Sequence, residues 1–206
     1  MKALVLKENA RFEFQEVPKP VKPGEDWVLV RVRAAGICGS DIPRAFEGGA
    51  YHHPLILGHE FAGTLEEPAQ LPWIFEGPVR SASGGPTSGG LAAASEGHSS
   101  TGLRLEAGSP VAVFPLINCG VCGACQTGDY AQCSNYDYLG SRRDGGFAEF
   151  VYVPRQNLFP VPEGVDLLHA AMTEPAAVAL HGIRRMVCEP GDSAVVFGGG
   201  PIGNMA

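Results

Sequence analysis

Basic charge is in short supply. Fifteen lysines and arginines stand against 22 aspartates and glutamates, giving a net charge of -7 and a pI near 5.3. Nucleic acid and anionic membrane surfaces both require basic surface, so neither is expected as a main partner. Long apolar runs are missing too. No stretch reaches the length of a membrane span, and the opening Met1-Lys2-Ala3-Leu4-Val5-Leu6 is too short for a signal peptide and lacks a cleavage pattern. These absences predict a cytoplasmic protein, where clustered thiols hold metal more often than they form disulfides. What is present is an ordinary globular balance, 45% hydrophobic and 18% charged over 206 residues, enough for one large domain or one and a half.

Short strands dominate the first part of the chain. Ala3 to Leu6 and Phe12 to Val17 are apolar runs, followed by a stiff link at Pro18, Pro20 and Pro23-Gly24. From Trp27 to Ala35 the pattern alternates, with Val28, Val30, Val32 and Ala34 on one face and Leu29, Arg31 and Arg33 on the other. That period of two predicts a half-buried strand running directly into Gly36-Ile37-Cys38. Leu55 to Leu65 reads as one further strand carrying His59 and Glu60, and 111–114 and 147–153 add others. The pattern predicts a mainly β barrel or sandwich. Residues 68–108 are rich in Gly, Ser and Ala, which predicts a flexible surface insertion with Trp73, Ile74 and Phe75 anchoring one end. After Pro162 the pattern turns helical, over 166–172 and again over 174–181, the second with Pro175 in its first turn. The run 193–197 reads as a strand leading into Gly198-x-Gly200-x-x-Gly203, with a helix expected next.

Two constellations carry chemistry. Cys119-x2-Cys122-x2-Cys125-x7-Cys133 places four thiolates where they can wrap one tetrahedral ion and leave no open position. A disulfide pair, an iron–sulfur cluster and a nucleic-acid zinc ribbon are the alternatives. Compartment, the missing ferredoxin spacing and the acidic composition weigh against each in turn. The second set is Cys38, Ser40, His59, Glu60 and, farther along, Glu174. Taken singly, Cys38 could be a packed thiol and His59-Glu60 a surface pair. Together, sulfur, nitrogen and oxygen around an open position are the donor set of a catalytic zinc. Cys188 carries no signal beyond a small buried hydrophobe.

Gly36-Ile-Cys-Gly-Ser-Asp41, Gly58-His-Glu-Phe-Ala-Gly63, the four-cysteine run, Gly145-Gly-Phe-Ala-Glu149, Glu174-Pro175 and the glycine turn at 198–203 follow one another in this order. The series resembles the zinc-dependent medium-chain alcohol dehydrogenases. Cys38 to Arg44, Gly49 to Pro54 and Gly140-Ser-Arg-Arg-Asp-Gly-Gly146 resemble its polyol branch. The resemblance covers about 1–67 and 108–206.

It implies a GroES-like, partly open β-barrel catalytic domain over 1–165, with an insertion at 68–108 and a structural zinc lobe at 119–133. Connecting helices over 166–189 and the start of a truncated Rossmann domain over 190–206 would follow. It further implies Cys38, His59 and Glu174 as ligands of a catalytic Zn2+, with Glu60 an alternate ligand or neighbouring carboxylate. Cys119, Cys122, Cys125 and Cys133 would hold a structural Zn2+. Ser40 would hydrogen-bond the reacting oxygen, and Gly198, Gly200 and Gly203 would approach the pyrophosphate of NAD(H). The implied reaction is hydride transfer from a polyol or polyol phosphate, of the galactitol 1-phosphate or sorbitol kind, to NAD. Arg44, Arg142 and Arg143 are candidate phosphate contacts or ordinary surface charges, and His52 and His53 packing or surface residues. A full-length parent would form homo-oligomers, whereas this chain, without a cofactor domain, is expected to hold zinc but not turn over.

Overall fold

The computed structural model describes residues 1–72, 102–186, 189 and 191–206. The strands are β1 (Lys2–Glu8), β2 (Arg11–Glu16), β3 (Trp27–Gly36), β4 (Leu55–Ile56), β5 (Glu60–Leu65), β6 (Ala69–Leu71), β7 (Leu103–Leu105), β8 (Pro110–Val113), β9 (Leu116–Ile117), β10 (Asp137–Tyr138), β11 (Phe150–Pro154) and β12 (Leu158–Pro160). The helices are α1 (Asp41–Phe46), α2 (Gly123–Gln126), α3 (Leu167–Ala170), α4 (Thr173–Arg185) and α5 (Pro201–Met205). The architecture is mainly β, as the alternation predicts.

The principal sheet has the order β11-β3-β5-β8-β12 and is antiparallel throughout. Its period of two sorts large from small side chains. Phe61 and Leu65 of β5 and Val111 and Val113 of β8 face a core shared with Val30, Val153 and Leu158. Each large side chain buried there contributes about 1.5–3 kcal/mol. Ala62 and Ala112 point to the opposite face, against Ala170 and Ala171. Alanines on that face let α3 lie close to the sheet. Asp166 caps α3, its side chain accepting from the Leu168 N–H at 2.8 Å. A second sheet, β2-β1-β4, packs alongside, and the pairs β9-β10 and β6-β7 complete the strands.

Three expectations are corrected. The passage 55–65 is two strands in different sheets, β4 on β1 and β5 on β3. Its break falls at Gly58, whose φ of +93° no strand can carry. The stretch 68–108 is not insertion from end to end: β6 and β7 pair, with Ala69 and Leu71 buried in the main core. Three-residue strands are too short to show a period in sequence. The interior of that stretch, with Trp73, Ile74 and Phe75, lies outside the described residues, as does Cys188. Finally, 193–197 pairs with no strand among the described residues, leaving Val195 76% and Phe197 96% exposed. A parallel strand needs neighbours and covering helices. The helix expected after the glycine turn does form, as α5.

Candidate metal centre

Sheet register sets the spacing of the first donors. β3 and β5 pair with Gly36 opposite Glu60, so Cys38 leaves one strand end beside the point where His59 enters the other. A Cβ at Gly36 would press on the Glu60 side chain, so the glycine leaves room for that carboxylate in its present place. The Cys38 sulfur, a His59 ring nitrogen and a Glu60 oxygen all lie within 4.8 Å of one another. Glu174, in the first turn of α4, stands outside that close set.

The approach to His59 is clamped from the side. Gly145, Phe147 and Gly146 donate their N–H groups to the carbonyls of Ile56, Leu57 and Gly58 at 2.8, 2.9 and 2.7 Å. Asp144 Oδ1 accepts from the Ile56 N–H at 2.9 Å. The Phe147 ring fills the space where a Gly58 side chain would stand, and the Gly58 carbonyl fills the same space at Gly140 and Gly145. The motif Gly140-Ser-Arg-Arg-Asp-Gly-Gly146 is thus a backbone clamp on the histidine's strand break.

Around the donors the hydrogen bonding is directional. Cys38 Sγ accepts from Ser40 Oγ at 3.3 Å and from the Ser40 N–H at 3.5 Å. Ser40 Oγ lies 3.5 Å from His59 Nε2 and accepts from Arg44 at 2.7 Å. Asp41, 3% exposed at the start of α1, accepts the Cys38 N–H through Oδ2 at 3.1 Å. Its Oδ1 faces His59 Nδ1 at 3.4 Å, and neither buried atom has a hydrogen-bond partner among the described residues. Buried polar atoms without partners call for an explanation. A histidine whose Nδ1 faces a carboxylate presents Nε2 as its lone pair, the arrangement of metal-ligating histidines. A tetrahedral zinc with bonds of about 2.0–2.3 Å sets its donors roughly 3.3–3.8 Å apart, and donors already within 4.8 Å of one another are close enough to share one ion. The residues fit the ion.

Tyr138 links this cluster to Glu174. Its ring meets His59 edge-on at 5.7 Å, and its hydroxyl donates to Glu174 Oε1 at 3.3 Å. Burial pushes the Glu174 carboxyl up; His59 opposes that shift and the charge on Glu60 adds to it. Burial and the Glu174 charge likewise push the Tyr138 phenol up.

The four cysteines converge between β9 and β10, all four sulfurs within 4.8 Å of one another. Cys122 Sγ is 3.5 Å from Cys125 Sγ and 3.9 Å from Cys133 Sγ. Backbone N–H groups of Cys125 and Ser134 bring the Cys122 thiol down to about 5, whereas burial and the neighbouring Cys122 push Cys125 up to about 11. The Cys119 N–H, donating at 3.3 Å, lowers Cys133. A set that loses its first proton so readily suits a cation of high charge. No open edge for a substrate is implied by four thiolates.

The remaining candidates fall elsewhere. Gly200 caps α5, Gly198 has φ +104°, and a Cβ at Gly203 would strike the Gly198 carbonyl, so the three glycines share one tight turn. Arg143 pairs with Asp137 at 2.8 Å, and Arg142 lies over the rings of Tyr51 and Tyr136 at 4.7 and 4.1 Å. Both arginines are engaged in loop structure. His52 bonds the carbonyls of Pro54 and Arg142, and His53 is exposed. Sequence reasoning passed over two residues of the centre. Asp41 lies three residues after Cys38, a spacing that is its one signal in the sequence; Tyr138 has none.

Residues 24–73 and 70–163 match the family described as the alcohol dehydrogenase GroES-like domain. The chain is 33% identical to galactitol 1-phosphate 5-dehydrogenase of Escherichia coli K12, over 100% of the chain and 51% of that protein. It is 35% identical to a sorbitol dehydrogenase of Halalkalibacterium halodurans, over 100% of the chain and 52% of the relative. Among solved structures, an alcohol dehydrogenase of E. coli CFT073 complexed with NADH superposes with a TM-score of 0.73 at 28% identity, covering 100% of this chain and 51% of that one. The chain therefore spans about half the length of the relatives it matches.

Proposed function

The chain belongs to the alcohol dehydrogenase GroES-like domain family, and from that premise we propose that it is the catalytic portion of a zinc-dependent dehydrogenase passing hydride from a polyol or polyol phosphate to NAD. The observation that carries this reading is the sulfur–nitrogen–oxygen cluster of Cys38, His59 and Glu60, accompanied by a separate all-thiolate set. Cys38 and His59 hold the catalytic ion, with Glu174 as third protein ligand and Glu60 as its alternate. The four cysteines hold the structural one.

A zinc ion in the first site supplies the Lewis acidity that brings an alcohol's proton within reach of neutral pH. The chain's own residues do the rest. Ser40, held by Arg44 and leaning on Cys38, presents a hydroxyl that receives the alcohol's proton and passes it outward. The Asp41 carboxylate, 3.4 Å from His59 Nδ1, favours a proton on that nitrogen and leaves Nε2 for the metal. The glycines at 198, 200 and 203 let the backbone approach a pyrophosphate at the start of α5. Galactitol 1-phosphate and sorbitol are the first substrates to test, on the strength of the relatives named above.

Elemental analysis tests the metal reading directly. Two zinc ions per chain are expected, falling to one in Cys38→Ser and one in Cys122→Ser; a zinc-free, folded wild type would overturn it. A second reading, a zinc-binding fragment without turnover, is favoured by the unpaired 193–197 run and by the half-length match. An assay of the 206-residue chain with NAD and galactitol 1-phosphate separates them. Turnover would sink the fragment reading, and its absence in a folded chain carrying both zinc ions would count against the catalytic one.

A further inference from the structure

We propose that Tyr138 is a positioning residue for the catalytic metal, tying Glu174 to the Cys38–His59–Glu60 cluster through its hydroxyl and its ring. The inference rests on the zinc reading above and adds a residue to it. Of the carboxylates assigned to that site, Glu60 begins the strand that follows His59, and its place is fixed by strand register. Glu174 comes from a helix far along the chain and lies outside the close donor set. A tether is therefore needed if it is to act on the same ion, and Tyr138 is placed to be one. Its hydroxyl takes up Glu174 Oε1 at 3.3 Å, leaving Oε2 as that carboxylate's other donor. Its ring packs edge-on against His59 at 5.7 Å, so one side chain touches two of the proposed ligands.

The backbone of Tyr138 is itself held. It lies on β10, which pairs with β9, Tyr138 opposite Leu116. Its carbonyl accepts from the N–H groups of Ser141, Arg142 and Arg143 at 3.3, 3.0 and 3.2 Å. A buried tyrosine usually finds a partner for its hydroxyl. Here that partner is a proposed ligand, and outer partners of metal ligands govern both affinity and ligand orientation.

The test uses the 206-residue chain with its four-cysteine lobe filled with zinc and cobalt(II) titrated into the remaining site. Chelator competition reads the affinity, and the visible absorption of cobalt reads the coordination. Tyr138→Phe, which keeps the ring and removes only the hydroxyl, is expected to weaken cobalt by about tenfold and to change its visible bands. Glu174→Gln should do the same, and the double variant should be no weaker than the weaker single one. Zinc retained in the lobe reports that each variant has folded. Wild-type spectrum and affinity in Tyr138→Phe, tighter binding, or additive losses in the double variant would each overturn the tether while leaving the zinc reading intact. A wild type that takes up no cobalt would overturn the zinc reading and this inference with it.

Discussion

Asp41 is a buried carboxylate whose useful work is done on its neighbours. One oxygen accepts the Cys38 N–H and the other faces His59 Nδ1 at 3.4 Å, so a single side chain orients both the sulfur and the imidazole. Asp41→Asn should weaken metal at the Cys38–His59 site by about 10- to 100-fold while the four-cysteine lobe keeps its zinc, as chelator competition would show. In the lobe, reactivity should divide by residue. With Cys122 brought down to about 5 and Cys125 pushed up to about 11, Cys122 is the more reactive of these two sulfurs in the metal-free chain. Iodoacetamide should modify it well ahead of Cys125, at a rate that falls as the pH drops through 5; peptide mass mapping reads the order. Equal rates at the two sulfurs would refute it.

Elements differ in how plainly the sequence announced them. β3 was legible because ten residues alternate cleanly, and α4 because an apolar pattern follows Glu174-Pro175. The convergence of Cys38 with His59 and Glu60, and of the four cysteines, was legible because these donors follow one another at short spacings within their motifs. Hidden from the sequence was whatever depends on a distant partner. β6 and β7 exist through each other, and β4 parts from β5 because 145–147 seizes the backbone between them. Tyr138 matters only once α4 and β10 have met. Asn157 is another such case: 2% exposed, its side-chain amide donates to the carbonyls of Phe114 and Leu116 at 2.8 and 2.7 Å and fixes the bend from β8 to β9. Asn157→Ala should cost about 1–3 kcal/mol of stability, the price of stranding buried acceptors, measured by urea denaturation. Gly58→Ala should cost about as much or more, since it sets an L side chain at φ +93° against the Phe147 ring.

At the scale of the molecule, the chain carries the alcohol dehydrogenase GroES-like domain and spans about half the length of the relatives it matches. Among the described residues no helix is long and apolar enough to cross a membrane. Stability should depend on metal, because ions that bind only the folded state add their binding free energy to it. Prolonged chelation is therefore expected to lower Tm by several degrees, reversibly on adding zinc, with calorimetry as the readout. An unchanged Tm in a chain shown to have lost both ions would contradict that.

Gly36 and Glu60 stand opposite each other on the β3–β5 ladder, which makes the gap between cysteine and histidine a matter of strand alignment. The site is therefore pre-assembled: zipping the two strands brings its donors together before any ion arrives. Since neighbouring residues on a strand point to opposite faces, one residue inserted within β5 would turn part of the ladder over without deleting a single ligand. Such a chain would keep every residue named here and could still lose the metal.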